Sequence, residues 1–332
     1  MAQVSVIIPL YNKALHIERA LRSVLDQSFQ DFEVVVVDDG STDNSATVVS
    51  GIHDPRIRLI RQANGGVSAA RNRGVEESSS PLVAFLDADD DWHPTFLATV
   101  MDLRRRFPHA GAYGTGYAMY QSPHVRYPHT FADVPTAPQG GIIQNYFKAA
   151  LTWEPLSSSS VMIPKMILKE VGGFPVGVRL GEDIYVWMRI AMQYPVAWSP
   201  NIAAYHHLDA VNRSGGRLYI GNIPMPESII SDFWHGNAAQ NVKDSFREVV
   251  VRWRLKIIKT NWLAGERLVV SSILRQIRDT RMYRKQYIRW KIMNYIPYSC
   301  VLAAWKLYQR LHGRQPVLPP RVPLAGEIPV TQ

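Results

Sequence analysis

Four carboxylates and a tryptophan close the segment Phe85-Leu86-Asp87-Ala88-Asp89-Asp90-Asp91-Trp92, directly after the apolar run from Leu82 to Leu86. A buried strand that ends in clustered acids brings several negative charges to one edge of a sheet. Repulsion there is costly unless a cation or a donor-rich ligand compensates it. Asp-x-Asp offers hard oxygen ligands suited to Mg²⁺ or Mn²⁺ carrying a diphosphate, because such ions keep positions open for phosphate oxygens. The same residues would also serve as a solvated turn that caps the next helix, with Pro94 near its first turn.

Other chemistry-bearing residues sit at comparable places. One apolar run ends in Pro9-Leu10-Tyr11-Asn12 and a second in Asp38-Asp39-Gly40-Ser41-Thr42-Asp43-Asn44-Ser45. An acid at a strand end can accept the imide N–H of a uracil or thymine, and a nearby aromatic can stack on the base. Part of the second motif is ordinary turn and cap vocabulary, but a cap does not need two consecutive acids behind four valines. Asn64-Gly65-Gly66-Val67-Ser68-Ala69-Ala70-Arg71 pairs glycines with a helix start. Their free N–H groups can approach an anion, and Arg71 can add charge-assisted bonds to phosphate. Gly172-Gly173-Phe174-Pro175 precedes Gly181-Glu182-Asp183, where two carboxylates open a helix. They would satisfy the helix dipole or supply a general base. Tyr205-His206-His207 follows the strand-like Ile202-Ala203-Ala204, and an imidazole there could complete a metal site.

The elements that must position these residues are legible up to about residue 110. Val4 to Ile8, Phe32 to Val37, Arg58 to Ile60 and Leu82 to Leu86 read as strands. Ile17, Ala20, Leu21, Val24 and Leu25 follow the spacing of an amphipathic helix, and Val67 to Glu77 is a further helix. Continuous β-branched runs separated by helices predict a mostly parallel sheet covered on both faces, with ligands beyond the carboxyl ends of its strands. Residues 110 to 214 are less regular, 225 to 312 read as helical, and 315 to 332, with five prolines, reads as an extended tail.

At 332 residues the length predicts roughly two domains. The single Cys300 excludes an intramolecular disulfide framework and a Cys-rich zinc site. Met1 leads directly into a strand with no basic leader, and no window reaches about eighteen unbroken apolar residues. The net charge of +9 divides unevenly: residues 252–314 hold 15 Lys and Arg against Glu266 and Asp279, while the remainder holds 22 basic and 26 acidic residues. A mildly acidic body thus carries a strongly basic extension, which points to an anionic partner.

Taken together, Val-Ser-Val-Ile-Ile-Pro-Leu-Tyr-Asn from Val4, Val-Asp-Asp-Gly-Ser-Thr-Asp from Val37, Gly-Gly-Val-Ser-Ala-Ala-Arg-Asn from Gly65, Asp-Ala-Asp-Asp from Asp87, and Gly-Gly-Phe then Gly-Glu-Asp from Gly172 resemble the inverting "family two" glycosyltransferases of the GT-A fold. The resemblance covers about residues 3 to 215. It implies an α/β fold, a GT-A Rossmann-like mostly parallel sheet flanked by helices, followed by a helical basic C-terminal extension. The corresponding domains are a catalytic domain over 1–220 (nucleotide-binding half 1–110, acceptor and base half 111–220), an extension over 221–314 and a Pro-rich tail over 315–332.

The resemblance also implies roles. Pro9, Tyr11 and Asp39 would hold the nucleotide base, Arg71 would approach the diphosphate, and Asp87 would touch the nucleoside. Asp89 would coordinate Mn²⁺ or Mg²⁺, with His206 or His207 near the metal and leaving group. Asp183 would be the catalytic base, with Glu182 beside it. Asp90 and Asp91 extend the acidic cluster beyond the usual pattern, so the ligand register could slip by one. The donor would be a nucleoside-diphosphate sugar, most simply a UDP-sugar, and the acceptor a glycan or lipid-linked hydroxyl in cell-surface polysaccharide synthesis.

Cations interleaved with Trp, Tyr and Ile across 252–314 suit helices lying against anionic headgroups, which implies a peripheral position on the inner, cytoplasmic face of the cell membrane. Helices packed on the body with solvated basic faces would leave the same pattern, and no nucleic-acid motif accompanies the charge. Rival readings are a sugar nucleotidyltransferase, in which Gly-Glu-Asp has no role as a base, and a non-catalytic nucleotide-sugar-binding scaffold.

Overall fold

The protein, seen in a computed structural model, is described over residues 2–121, 124–126, 132–178, 181–210, 230, 233, 238–297, 299, 300 and 303. The Pro-rich tail expected over 315–332 and the boundary expected at 220 lie outside the described residues.

The chain begins with alternating strands and helices: β1 (Val4–Leu10), α1 (Ile17–Leu25), β2 (Phe32–Asp38), α2 (Ser45–Ser50), β3 (Ile57–Arg61), α3 (Val67–Glu77) and β4 (Leu82–Phe85). There follow a two-residue strand β5 (Asp91–Trp92), α4 (Phe96–Arg106), the long β6 (Ala112–Gln121), β7 (His124–Arg126), β8 (Gly141–Ile142), α5 (Tyr146–Ala149), a 3-10 turn over Ser158–Ser160, β9 (Val161–Pro164), α6 (Lys165–Glu170), α7 (Glu182–Gln193) and β10 (Val196–His207). The region read as irregular therefore supplies β6 and β10. The expected helical stretch includes α8 (Gln240–Leu263), α9 (Arg267–Gln276) and α10 (Arg284–Met293), and Ile230, Phe233, Ser299, Cys300 and Ala303 are helical as well.

The ten strands among the described residues form one sheet with main order β3-β2-β1-β4-β9-β6-β10-β5, β7 pairing with β6 and β8 with β10. The first four strands are mutually parallel, with Leu10 opposite Asp38 and Ile7 opposite Phe85. Their carboxyl ends therefore open along one edge. β9 is antiparallel to both β4 and β6, which brings Ser158–Ser160 at its start to the end of β4. β10 runs parallel to β6 and antiparallel to β5, with Ala204 opposite Trp92 and Tyr205 opposite Asp91. This pairing ties the doubled histidine to the acidic loop.

Alternation along the strands sorts the core onto two faces. Val6 and Ile8 pack with Leu21 and Val24 of α1 and Phe96, Leu97 and Val100 of α4. Ile7, Val83 and Phe85 face the other way, onto Trp187 and Ile190 of α7 and Phe147 of α5. That second cluster continues into α8 through Phe246, Val249 and Val250. Phe246 is fully buried, with its ring centroid 5.1 Å from that of Phe147. Truncating a buried phenylalanine costs about 3–5 kcal/mol, so the first turns of α8 are firmly held on the sheet-covering helices. Further along, Ile257, Ile258 and Trp262 form a separate cluster with Val270, Ile273 and Leu274 of α9 and Tyr287 of α10.

Candidate active site

Just past the end of β2, the Asp39 carboxylate accepts from Gln62 Nε2 at 2.7 Å, the Gly65 N–H at 2.9 Å and the Gly66 N–H at 2.8 Å. The glycines are required here for space and conformation. A side chain on Gly65 would start 2.9 Å from Ala69 Cβ, and Gly66 has φ +86°. Asp39 therefore pins the loop that starts α3. A carboxylate has about four acceptor positions; three are filled, and one on Oδ2 remains for a ligand donor. Pro9 is part-buried and Tyr11 is 43% exposed beside this loop. Asn12, with φ +52°, folds back so that its Oδ1 accepts from the Thr42 N–H at 2.8 Å.

Next along the edge lies Arg71, 2% exposed on α3. Its guanidinium donates to Asp87 Oδ1 at 2.8 Å and to Glu182 Oε1 at 2.9 Å. Burial opposes its charge, but the carboxylates of Asp87, Glu182 and Asp183 outweigh burial and hold it protonated above the usual arginine range. Beneath it the Phe174 ring lies 5.2 Å away, itself edge-on to Phe85 and Trp187. Asn72 fixes that ring from the adjacent position: Nδ2 donates to the Phe174 carbonyl at 2.7 Å and Oδ1 accepts the Phe174 N–H at 2.9 Å. The Arg-Asn pair of α3 and the Gly-Gly-Phe turn are one device. It places a buried cation between Asp87, just past the end of β4, and Glu182, the first residue of α7.

The four acids of the loop divide their work. Asp89 Oδ2 accepts from Lys13 Nζ at 2.6 Å. Its burial, then the Asp90 and Asp87 charges, raise its pKa above the usual carboxylate range, while Lys13 pulls the other way. Asp90 is 5% exposed and accepts from Ser159 Oγ at 2.6 Å, from the His207 N–H at 3.2 Å and from His206 Nδ1 at 2.7 Å. Burial alone would raise Asp90, yet His206 and these donors bring it below the ordinary value. Asp91 pairs with the His207 ring and lies 3.6 Å from Arg19 Nε. The two acids beyond the usual pattern are thus the anchors of the two histidines.

His206 Nε2 shares a hydrogen bond of 2.9 Å with Ser157 Oγ, and the Tyr117 ring stands edge-on to the imidazole at 4.9 Å. Successive residues of β10 point to opposite faces. Among the described residues, no three His, Cys, Asp or Glu side chains gather as a ready-made metal cage. Mg²⁺ is commonly held by one or two carboxylates with the remaining positions taken by water and substrate phosphate. The hard oxygens of Asp87 and Asp89, in a cluster whose negative charge is only partly offset by Lys13, suit an ion of that kind.

Asp183 stands at the first turn of α7, after Gly181 at φ +80°. Its Oδ1 accepts the Ile184 N–H at 2.7 Å and its Oδ2 accepts from Ser158 Oγ at 3.3 Å. Burial is the largest influence on it and the Glu182 charge the next; against the opposing pull of Arg71 they push its pKa up to about 7. Glu182, by contrast, is bound directly to Arg71. Of two adjacent carboxyls, one is committed to a salt bridge and the other is poised to exchange a proton near neutrality.

The structure therefore brings Arg71, Asp87, Glu182 and Asp183 into one network and links Asp89, Asp90 and His206 alongside it; Pro9, Tyr11 and Asp39 stand further along the same edge. Sequence reasoning missed the serines. Ser157 meets His206, Ser158 meets Asp183, and Ser159 both donates to Asp90 and accepts the Asp87 N–H at 3.1 Å. The available signal was four consecutive serines, Ser157 to Ser160, just before a strand. Lys13, one residue past the Tyr11-Asn12 motif, was missed as well.

A family model described as Glycosyl transferase family 2 matches residues 5–172. The chain belongs to that family. An uncharacterized glycosyltransferase of Rickettsia bellii (strain RML369-C) is 31% identical over 191 residues, 57% of this chain and 26% of that protein. The succinoglycan biosynthesis protein ExoW of Rhizobium meliloti (strain 1021) is 42% identical over 113 residues, 32% of this chain and 35% of ExoW. The matched part is thus about a quarter to a third of the length of these relatives. The structure of S. aureus TarS in complex with UDP-GlcNAc superposes with a TM-score of 0.65 at 17% identity, covering 94% of this chain and 92% of that one. At that identity the likeness is one of fold. It extends the shared GT-A-type architecture past the family region and into the C-terminal helices. The α/β fold with a helical extension is the one the family motifs imply.

Proposed function

We propose that this protein transfers a sugar from a nucleoside-diphosphate donor, most simply a UDP-sugar, to a hydroxyl of a glycan or lipid-linked acceptor, with inversion at the anomeric carbon. The observation that carries this reading is Asp183, a carboxyl held near neutrality beside the Arg71–Glu182 pair at the carboxyl edge of the sheet. As the acceptor oxygen bonds to the anomeric carbon, its proton passes to Asp183 and the bond to the diphosphate oxygen breaks. One displacement of this kind inverts the centre and needs no enzyme nucleophile. Asp39 offers its remaining acceptor position to the base, with Pro9 and Tyr11 beside it, and Asp87 lies where the nucleoside would end.

Arg71 commits both terminal nitrogens to carboxylates, and only its buried Nε is left without a partner among the described residues. Its first role is to hold Asp87 and Glu182, and through Glu182 the neighbouring base. Asp89 and Asp87, with His206 close by, are the residues that would hold Mn²⁺ or Mg²⁺, whose chemistry would be to neutralise charge on the diphosphate. A sugar nucleotidyltransferase would have no use for the proton acceptor at Asp183. The catalytic unit, residues 1–220, is proposed to act together with the helical extension. ExoW, a succinoglycan biosynthesis protein, supports a polysaccharide context, and the structural neighbour TarS, in its complex with UDP-GlcNAc, supports a UDP-sugar donor. Turnover of a panel of UDP-sugars, followed as UDP release with and without Mn²⁺, tests the reading; folded protein that binds a donor yet releases no UDP with any acceptor would overturn it.

Among the described residues, one helix carries the pattern expected of a membrane contact. Among the described residues no helix is long and apolar enough to cross a membrane. α8 and α9 spend their apolar faces on the protein core, but on α10 Tyr287 alone is buried. Ile288, Ile292 and Tyr295 are 44%, 57% and 81% exposed at one-turn spacing, with Arg284, Lys285, Arg289 and Lys291 exposed around them. An apolar stripe flanked by cations is the pattern of a helix seated at an anionic bilayer surface, and supports a peripheral place on the cytoplasmic face.

A further inference from the structure

Helix α8 contributes to the site as well as to the core. Its turn from Arg252 to Lys256 comes up beside the end of α7 that carries the base. The Trp253 indole lies 3.8 Å from the point where a side chain on Gly181 would begin, immediately before Glu182 and Asp183. Arg252 reaches the adjoining wall, donating to Glu154 Oε1 at 2.6 Å and to the Ala150 carbonyl at 2.7 Å. On that wall the Tyr117 hydroxyl donates to the Glu154 carbonyl at 2.7 Å, and its ring faces His206. α8, the loop around Glu154 and the base therefore border one space.

Among the described residues, Lys256 is the cation left over there. Arg71 is committed to Asp87 and Glu182, and Arg252 to Glu154. Lys256 is exposed, pairs with no carboxylate among the described residues, and lies with Nζ 4.0 Å above the Trp253 ring. Burial, the largest influence, lowers its pKa below the usual lysine range, while the charges of Glu154 and Asp183 oppose that shift. Its ammonium is thus open to solvent and yet held against the indole rather than extended away from it. A lysine serving only solubility would extend into water; this one is drawn back over an indole by cation–π attraction, next to the base.

We propose that Lys256, held in place by Trp253, forms an acceptor subsite beside Asp183 that takes an oxyanion, a carboxylate or phosphate carried by the acceptor. The inference rests on Asp183 being the base. Among the described residues Asp87, Glu182 and Asp183 stand against Arg71 here, so an anionic acceptor would be repelled without a further cation beside them. A neutral acceptor would leave Lys256 with nothing to bind.

The test uses the full chain labelled with 5-fluorotryptophan and saturated with UDP, the Trp253 resonance being assigned by Trp253→Phe. Methyl β-glucuronide and glycerol 1-phosphate are titrated separately, with methyl β-glucoside as the uncharged control. The expected result is a saturable shift of the Trp253 signal by at least one oxyanion and none by the glucoside. The responding probe separates carboxylate from phosphate. Lys256→Met should weaken that binding by about tenfold, as for loss of a charge-assisted bond, and Lys256→Arg should restore most of it. Equal shifts by the glucoside, no shift by either oxyanion, or unchanged affinity in Lys256→Met would overturn the subsite. UDP binding on the same sample keeps the two readings apart: its absence sinks the donor site, whereas UDP binding without an oxyanion response sinks this subsite alone.

Discussion

Replacing Asp183 by Asn should remove activity and stabilise the protein in the same stroke. The carboxyl has an ordinary value of 3.8 and is pushed up to about 7 in the folded protein. A folded-state pKa raised above the unfolded one means that the folded protein holds the proton more tightly. Stability then falls as pH rises from about 4 to about 7 and stays reduced above that. Each pH unit is worth 1.36 kcal/mol, so the ionised carboxylate costs the fold on the order of 2–4 kcal/mol at pH 8. Asparagine keeps an oxygen for the Ile184 N–H and carries no charge. Urea unfolding at pH 8 should show Asp183→Asn more stable than wild type by that amount, with the difference shrinking towards zero by pH 4. Turnover should drop by at least 10²–10⁴ with UDP affinity little changed, and the acidic limb of the wild-type kcat/KM profile should fall near pH 7. An Asp183→Asn variant that is less stable than wild type at pH 8, or a wild-type profile flat between pH 6 and 8, would refute Asp183 as a neutral-range base.

Other parts of the site make separate predictions. Arg71→Ala leaves Asp87 and Glu182 facing each other without their cation and should destabilise the fold by about 3–5 kcal/mol, measured by urea unfolding; Arg71→Lys should recover only part of this, because one ammonium cannot reproduce the fork to both acids. Asp39→Ala frees the Gly65–Gly66 loop and should weaken UDP binding at least tenfold in calorimetry, while the pH dependence of stability assigned to Asp183 persists. The double change Ile288→Asp and Ile292→Asp should cut co-sedimentation with phosphatidylglycerol vesicles at least tenfold and leave UDP release from a soluble acceptor unaltered; unchanged sedimentation would mean that the basic helices simply pack on the body.

The N-terminal half of this fold is legible because its signals are local. The Phe-Glu-Val-Val-Val-Val-Asp of β2 can only be a buried strand, and the acids that end it are visible beside it. The strand expected over Leu82 to Leu86 is assigned over Leu82–Phe85, with the Leu86 N–H still donating to the Ile7 carbonyl of β1 at 3.1 Å. The site's partners are harder to read because they meet across long stretches of chain. Lys13 meets Asp89 across 76 residues, Ser157 meets His206 across 49, and Arg71 meets Glu182 across 111. Nothing in a run of serines announces three different acids and bases as its partners. The basic extension is hard to read for a related reason: Arg252 looks like surface charge in sequence, yet it binds Glu154 on the body, while α10 among the described helices keeps exposed cations beside exposed apolar residues.

The most direct measurement is calorimetric titration of UDP, dTDP and GDP into the full chain, each with Mn²⁺ and with EDTA. The account predicts that a pyrimidine diphosphate, UDP foremost, binds with micromolar affinity in Mn²⁺ and at least tenfold more weakly in EDTA, with GDP weaker still. Folded protein that binds none of the three would contradict the donor site at the carboxyl edge, and with it the reading of these acids as the machinery of sugar transfer.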